Sequence, residues 1–270
     1  MNLTGIKLVT TDMDGTLLNS KHEVSTLFFE LFEELKNLDI IFVAASGRPY
    51  YSIVDKLSTI KGNIIVAAEN GGLVVANDKT LLSTPLKQDG LKEIETEIDC
   101  HAHIHPVFCT KSKAFFKNSS VAILPILSEY YPNYQLINSI DDIENEILKI
   151  ALFNNDDAQK LIYPLFERFK SNYKVIVSGQ HWVDISHELA NKGHAIKLIQ
   201  NMYNITSEET LAFGDYDNDI EMLLQSKYSV AMKNANRTIK NIASFETKSN
   251  NHNGVELILE KLIKARKQFK

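Results

Sequence analysis

The stretch IKLVTTDMDGTLL, residues 6–18, runs from a short apolar, β-branched segment straight into two carboxylates, Asp12 and Asp14, with a Gly-Thr turn behind them. An apolar run of that length reads as a strand buried on both faces. A helical pattern follows from Val24 to Lys36, with Leu27, Phe28, Leu31, Phe32 and Leu35 at helix spacing. The same step then repeats. IIFVAA (40–45) reads as a second buried strand, and Pro49 stands where a first helical turn begins after Ser46-Gly47-Arg48. NIIVAA (63–68) is a third, and Asn70-Gly71-Gly72 turns it into LVVA as a hairpin.

From residue 83 the texture changes. Residues 83–187 read as helix 86–98, strands near 104–109 and 113–118, helix 119–131, strand 147–154, helix 157–170, and the pair KVIVSG and WVDIS. That is an α+β order with antiparallel pairing. Strand–helix alternation then returns with helix 190–203, strand 210–213, helix 217–225, strand 228–232, helix 236–242 and a closing helix from Val255. The expected class is therefore α/β: a doubly wound, Rossmann-like parallel-sheet core formed by residues 1–82 and 188–270, with an inserted α+β cap domain over 83–187. A chain of 270 residues is long for one core and short for two full-sized ones, in keeping with a large and a smaller domain.

Composition excludes several classes. Hydrophobic residues make up 44% and charged residues 23%, the mixture of a globular protein rather than a disordered or collagen-like one. The net charge of −5 and the lack of a dense basic run before the tail KLIKARKQFK speak against nucleic acid as a partner. Cys100 and Cys109 are too few for a disulfide scaffold, and MNLTGIKLVT carries no apolar stretch of signal-peptide length. No segment approaches the ~20 apolar residues of a membrane span. The expectation is a cytoplasmic protein, monomeric or weakly dimeric, with no membrane partner.

In doubly wound sheets ligands bind beyond the carboxyl ends of the strands, and the polar clusters fall there. Asp12 and Asp14 follow the first strand, Ser46-Gly47 the second, and GDYDND (214–219) the strand near 210, adding Asp215, Asp217, Asn218 and Asp219. Lys192 begins the helix on which the chain returns from the insertion. Carboxylates crowded into a partly desolvated cleft repel one another unless a cation joins them. Oxygen donors without His or Cys point to Mg²⁺ rather than zinc, and Mg²⁺ favours a site shared with phosphate. With phosphate as partner, Ser46 and the Gly47 amide donate to phosphoryl oxygens and Lys192 offsets growing negative charge. Asp12 is the candidate nucleophile, forming an aspartyl-phosphate. Asp14 is the candidate acid/base, which requires Asp12 ionised and Asp14 able to hold a proton.

The motifs DMDGTLL, AASGRP, NKGHAIKLI and GDYDNDIEML, in this order and at these separations, resemble the haloacid dehalogenase superfamily, and within it the Cof-type phosphatases with a large α/β cap. AAENGGLV, AMKNANRTIKNIA and TKSNNHNGVELIL are similar to that group too, particularly to its sugar-phosphate phosphatases. The resemblance implies that Mg²⁺ is held by the Asp12 side chain, the Asp14 carbonyl and Asp215, with Asp219 as a ligand or one shell further out. It also implies that the Met13 amide, Ser46, Gly47, Lys192 and Asn218 surround the phosphate. Tyr216-Asp217 departs from the family, where many members carry a smaller residue and Pro or Gly, but removes no catalytic group. The implied activity is Mg²⁺-dependent hydrolysis of small phosphorylated metabolites, sugar phosphates foremost. The alternatives are a phosphotransferase or mutase on the same fold and a receiver-like phospho-acceptor module; Asp14 and the inserted cap argue against the latter. In the cap, His181, Trp182 and Asp184 are candidates for reading the leaving group, weighed against plain packing.

Overall fold

The computed structural model describes residues 1–268. Along the chain, β1 (Leu8–Thr11), α1 (Thr26–Asn37), β2 (Ile41–Ala45), α2 (Tyr50–Lys56), β3 (Ile65–Ala68), β4 (Leu73–Ala76) and β5 (Lys79–Ser83) come first. Next are α3 (Gln88–Asp99), β6 (His105–Cys109), β7 (Ala114–Lys117), α4 (Leu124–Tyr130), β8 (Tyr134–Ile137), β9 (Lys149–Phe153), α5 (Ala158–Leu161), α6 (Tyr163–Phe166), β10 (Lys174–Gly179) and β11 (Trp182–Ser186). The last stretch holds α7 (Lys192–Tyr203), β12 (Thr210–Gly214), α8 (Ile220–Leu224), β13 (Tyr228–Ala231), α9 (Arg237–Ile242), β14 (Phe245–Glu246) and α10 (Gly254–Lys267). Two compact units result: Met1–Arg48, Ile53–Leu82 and Asn191 onward form one, and Pro49–Ser52 with Ser83–Ala190 the other.

The first unit is an α/β fold on an eight-stranded sheet ordered β14-β13-β12-β1-β2-β3-β4-β5. β1 lies between β12 and β2, parallel to both, with Leu8 opposite Thr210 and Ile41. Every residue of β1, β3 and β12 is buried, as the continuous apolar runs predict. The chain reverses at residues 69–72, where β4 pairs antiparallel with β3 as the expected hairpin. Helix α1 starts at Ser25, whose hydroxyl accepts a bond from the Phe28 amide, and buries Phe28, Phe32 and Leu35 at helical spacing. Phe28 and Phe32 meet Phe42 of β2 at ring separations of 5.2 and 5.8 Å. Each such ring contributes about 1.5–3 kcal/mol by leaving water.

The second unit is α+β, on a six-stranded sheet ordered β10-β11-β9-β6-β7-β8. One face packs Phe108, Ile150, Leu152, Val183 and Ile185 with Leu91, Ile94 and Ile98 of α3 and Phe166 of α6. The other packs Val107, Phe116, Ala151 and Phe153 with Leu127 of α4 and with Tyr131. Two expected helices are broken. Over 119–131 a 3₁₀ segment (Asn118–Ile123) precedes α4, and over 157–170 the chain divides into α5, α6 and a 3₁₀ segment (Glu167–Ser171). Pro125 and Pro164 sit in the first turns of α4 and α6, where a missing N–H does no harm but a continuing helix upstream is interrupted. Likewise, the helix expected over 217–225 is a 3₁₀ turn (Asp217–Asp219) followed by the short α8. Strands β5, β8 and β14 are not expected from the sequence: β5 has no fully buried residue, β8 has one and β14 is two residues long, so none carries a buried apolar run. Among the described residues no helix is long and apolar enough to cross a membrane.

Candidate active site

The carboxyl ends of β1 and β12 lie side by side, and the Asp12 amide extends their ladder by donating to the Phe213 carbonyl at 3.1 Å. Beyond Asp12 the chain folds into a tight turn in which the amides of Leu17 and Leu18 return to the carbonyls of Asp12 and Met13. Gly15 makes this possible: its φ is +77°, and a Cβ there would collide with the Asp215 carboxylate. The turn in turn holds Asp215. The Thr16 hydroxyl donates to its Oδ1 at 3.1 Å, and Asn234 Nδ2 bridges the Gly15 carbonyl and Asp215 Oδ2 at 2.7 and 3.4 Å.

Lys192 is fully buried at the start of α7, where Asn191 caps the helix by accepting from the His194 amide. Its Nζ donates to Asp12 Oδ1 and to Asp219 Oδ1, each at 2.6 Å. The other oxygen of Asp219 accepts from the amides of Asp215 and Tyr216 at 2.9 and 3.2 Å. Asp219 is thus an anchor: one oxygen fixes the lysine, and the other shapes the loop that presents Asp215.

Carboxylate oxygens of Asp12, Asp215 and Asp219 all lie within 4.8 Å of one another, with a single ammonium among them. The electrostatic consequences follow. Burial raises the Asp12 pKa well above 3.8; the Lys192 charge opposes this, and Asp219 and Asp215 add to it. Asp215 rises to about 6, first through burial and then through the charge of Asp219. For Lys192, burial disfavours the charged form, but the two carboxylates outweigh it and hold the proton more tightly than usual. The pocket carries more negative charge than its lysine neutralises, and its donors are hard oxygens, so a divalent cation fits these residues.

Asp14 differs from its expected state. Its carboxylate is gripped by Arg48, Nε to Oδ2 and the terminal nitrogen Nη2 to Oδ1, both at 2.6 Å, and His22 Nδ1 stands 3.2 Å from Oδ1. Burial works to raise its pKa, but the hydrogen bonds and charge of Arg48, together with His22, bring it below the ordinary value. The two carboxyls are therefore pushed apart as expected, but in the opposite sense: in this arrangement Asp12 is the group that holds a proton more readily.

Ser46 is buried beyond the end of β2; its Oγ accepts from the Arg48 amide at 3.1 Å, which leaves the hydroxyl proton to serve another acceptor. Asn218 donates from Nδ2 to Asn70 Oδ1 at 3.0 Å. Asp217 points elsewhere, accepting from Asn236 at 2.7 Å. Asp12, Asp14, Ser46, Lys192, Asp215, Asn218 and Asp219 all belong to the first unit. Three of its functional side chains escaped the sequence reading. Thr16 and Asn234 carry no signal beyond lying in or near motifs, whereas Arg48, next to Ser46-Gly47, is a cation at the end of β2, the strand beside the one that Asp12 and Asp14 follow.

His181, Trp182 and Asp184 belong to the second unit. Trp182 packs on Phe153, Tyr130 and Tyr131 at ring separations of 4.8, 5.3 and 6.0 Å. His181 stands at the β10–β11 turn, with Nδ1 2.8 Å from the Asp156 carbonyl. Asp184 is buried, with Oδ2 3.8 Å from Lys149 Nζ on the neighbouring strand.

Comparison with known proteins gives one consistent result. A family model described as haloacid dehalogenase-like hydrolase matches residues 9–259. The 5-amino-6-(5-phospho-D-ribitylamino)uracil phosphatase YbjI of Escherichia coli is 28% identical over 267 residues, with 98% of each chain covered. YwtE of Bacillus subtilis, which bears the same enzyme name, is 25% identical over 291 residues, covering 96% of this chain and 98% of its own. Among solved structures, SMU.1108c from Streptococcus mutans superimposes with a TM-score of 0.86 at 28% identity, over 96% of this chain and 99% of that one.

Proposed function

This chain belongs to the haloacid dehalogenase-like hydrolase family and is a phosphatase; we propose that it is a Mg²⁺-dependent phosphomonoester hydrolase of small phosphorylated sugars or polyols, working through an aspartyl-phosphate on Asp12. The observation that carries the reading is the buried Lys192 shared between Asp12 and Asp219 beside Asp215. Asp12, Asp215 and the Asp14 carbonyl would hold the cation, with Asp219 orienting them. Bound there, Mg²⁺ would lower the Asp12 pKa and draw charge from the phosphoryl oxygens.

The chain's own groups supply the rest. Lys192 donates to Asp12 Oδ1 and so fixes which way the carboxylate faces for attack on phosphorus. Lys192, the Ser46 hydroxyl, the Met13 and Gly47 amides and Asn218 balance the phosphoryl charge. Asp14 takes up a proton, gives it to the leaving oxygen, and later receives one from the water that hydrolyses the aspartyl-phosphate. Arg48 opposes that first uptake by holding Asp14 ionised. Arg48→Gln should therefore raise the Asp14 pKa and move the alkaline limb of the kcat/KM–pH profile to higher pH; an unmoved limb would show that Asp14 is not the acid.

The substrate class draws on the relatives named for a ribityl phosphate ester. In the test, chelator should abolish hydrolysis, Mg²⁺ should restore it and Ca²⁺ should restore little, since its larger, looser shell misplaces the attacking oxygen. A panel of sugar, polyol and aryl phosphates should then rank the hydroxylated esters highest in kcat/KM. Full activity in chelator, or an aryl phosphate preferred over all others, would overturn the respective half of the reading.

Asp215 gives a check that needs no turnover. Its pKa is about 6 in the folded protein against an ordinary 3.8. The folded state thus holds this proton more tightly than the unfolded chain, and the carboxyl destabilises the fold above about 6 but not below 3.8. In chelator, Asp215→Asn should raise Tm at pH 7.5, with the gain shrinking as pH falls through that window. Adding Mg²⁺ should raise the Tm of the parent protein and not of the variant. A Tm that ignores Mg²⁺ in both would remove Asp215 from the cation site.

A further inference from the structure

The turn after β3 carries unusual backbone. Glu69 and Asn70 are successive non-glycine residues with φ of +50° and +55°, followed by Gly71 at +86°. The left-handed region disfavours side chains, Asn least among them, and side chains retained there often have a task. Five contacts define what this turn touches. The Asn70 amide donates to the Ser46 carbonyl at 2.9 Å and the Glu69 amide to the Arg48 carbonyl at 3.1 Å. The Asn70 side chain lies against Gly47, where a Cβ would come within 3.1 Å of its Oδ1. That same Oδ1 accepts from Asn218 Nδ2 at 3.0 Å. Finally, a Cβ on Gly71 would stand 2.5 Å from the carbonyl of Asn191, the cap residue of the helix that begins at Lys192.

We propose that Asn70 is a positioning residue for phosphate binding, acting through Asn218. Its backbone is tied to the Ser46 strand end and its carboxamide oxygen takes one N–H of Asn218. That bond fixes the Asn218 amide plane and leaves its second N–H for a phosphoryl oxygen. Without it, the Asn218 side chain rotates freely and must be ordered whenever phosphate binds, which weakens binding. The inference rests on the reading of Asn218 as a phosphate contact given above.

The rival is that Asn70 serves only as a residue tolerant of left-handed backbone. Asn70→Gly separates the two, because glycine accepts this φ with less strain and should preserve Tm, while removing the carboxamide. For Asn70→Gly, kcat/KM for a sugar phosphate should fall roughly tenfold, and the inhibition constant of inorganic phosphate should rise by a like factor. Asn218→Ala should do at least as much. The decisive variant is Asn70→Gly combined with Asn218→Ala, which should be no worse than Asn218→Ala alone. Multiplicative losses in the double variant, or an Asn70→Gly protein with unchanged phosphate inhibition, would overturn the inference while leaving Asn218 in place. An Asn218→Ala protein as active as the parent would instead remove the reading beneath it.

Discussion

Asp12→Asn should abolish steady-state hydrolysis, by ~10⁴-fold or more, the scale on which an enzyme loses a covalent nucleophile. The amide keeps the shape of the side chain and an oxygen for Lys192, so the fold should survive. It should in fact gain stability. Asp12 and Asp219 place two buried carboxylates on one ammonium, and the Asp12 pKa is raised, chiefly by burial. Its ionised form is therefore unfavourable in the fold at neutral pH, and the penalty disappears as pH falls to the ordinary carboxyl value of 3.8. In chelator, Asp12→Asn should melt higher than the parent at pH 7.5 and alike near pH 4. Rapid-quench labelling with a ³²P-ester should mark the parent and leave the variant unlabelled. A variant that still turns over at the parent rate would end the aspartyl-phosphate account.

Lys192→Met should have the second large effect, and in the opposite direction on stability. Removing a buried cation from between two buried carboxylates leaves them uncompensated, a loss of about 3–5 kcal/mol. For a chain of this size that corresponds to a drop of ~10 °C in Tm. Activity should be lost too, since Asp12 is no longer oriented and the phosphoryl charge loses its ammonium. Adding Asp219→Asn to Lys192→Met removes one of the stranded charges. It should recover part of the Tm without recovering hydrolysis, separating the structural from the catalytic duty of the lysine. Equal Tm for Lys192→Met and the parent would mean that the three groups do not form one buried cluster.

Most of the first unit was legible because β1, β2, β3, β12 and β13 are central and parallel. Runs such as LVTT and IVAA have no polar face to confuse their reading, and the rule that ligands gather at strand ends gathered Asp12, Ser46 and Asp215. What sequence withholds is side-chain direction. Spacing could place Asp219 four residues beyond Asp215 but could not tell that its oxygens are spent on Lys192 and two amides. Nor could it foresee that Arg48 would reach across to Asp14 and reverse the ordering of the two pKa values. In the second unit the failures were of continuity. Apolar periodicity ran through Pro125 and Pro164 as though the helices did, and the exposed strand YQLI offered no buried pattern at all.

The pairing of β1 with β12, Leu8 opposite Thr210, sets an order of events during biosynthesis. A ribosome adds about 5–20 residues per second, so β1 meets β2 early but waits on the order of 10–40 seconds for β12 to emerge. Through that interval the continuous stretch Ser83–Ala190 can collapse on its own local contacts, while the edge of β1 that faces β12 stays available to misassociate or to be held by a chaperone. Arrested nascent chains ending near residue 230, with Ala190 emerged and β12 still inside the exit tunnel, should therefore carry a protease-resistant middle and a protease-sensitive start. Resistance at the start should appear only once the segment through β13 has left the exit tunnel.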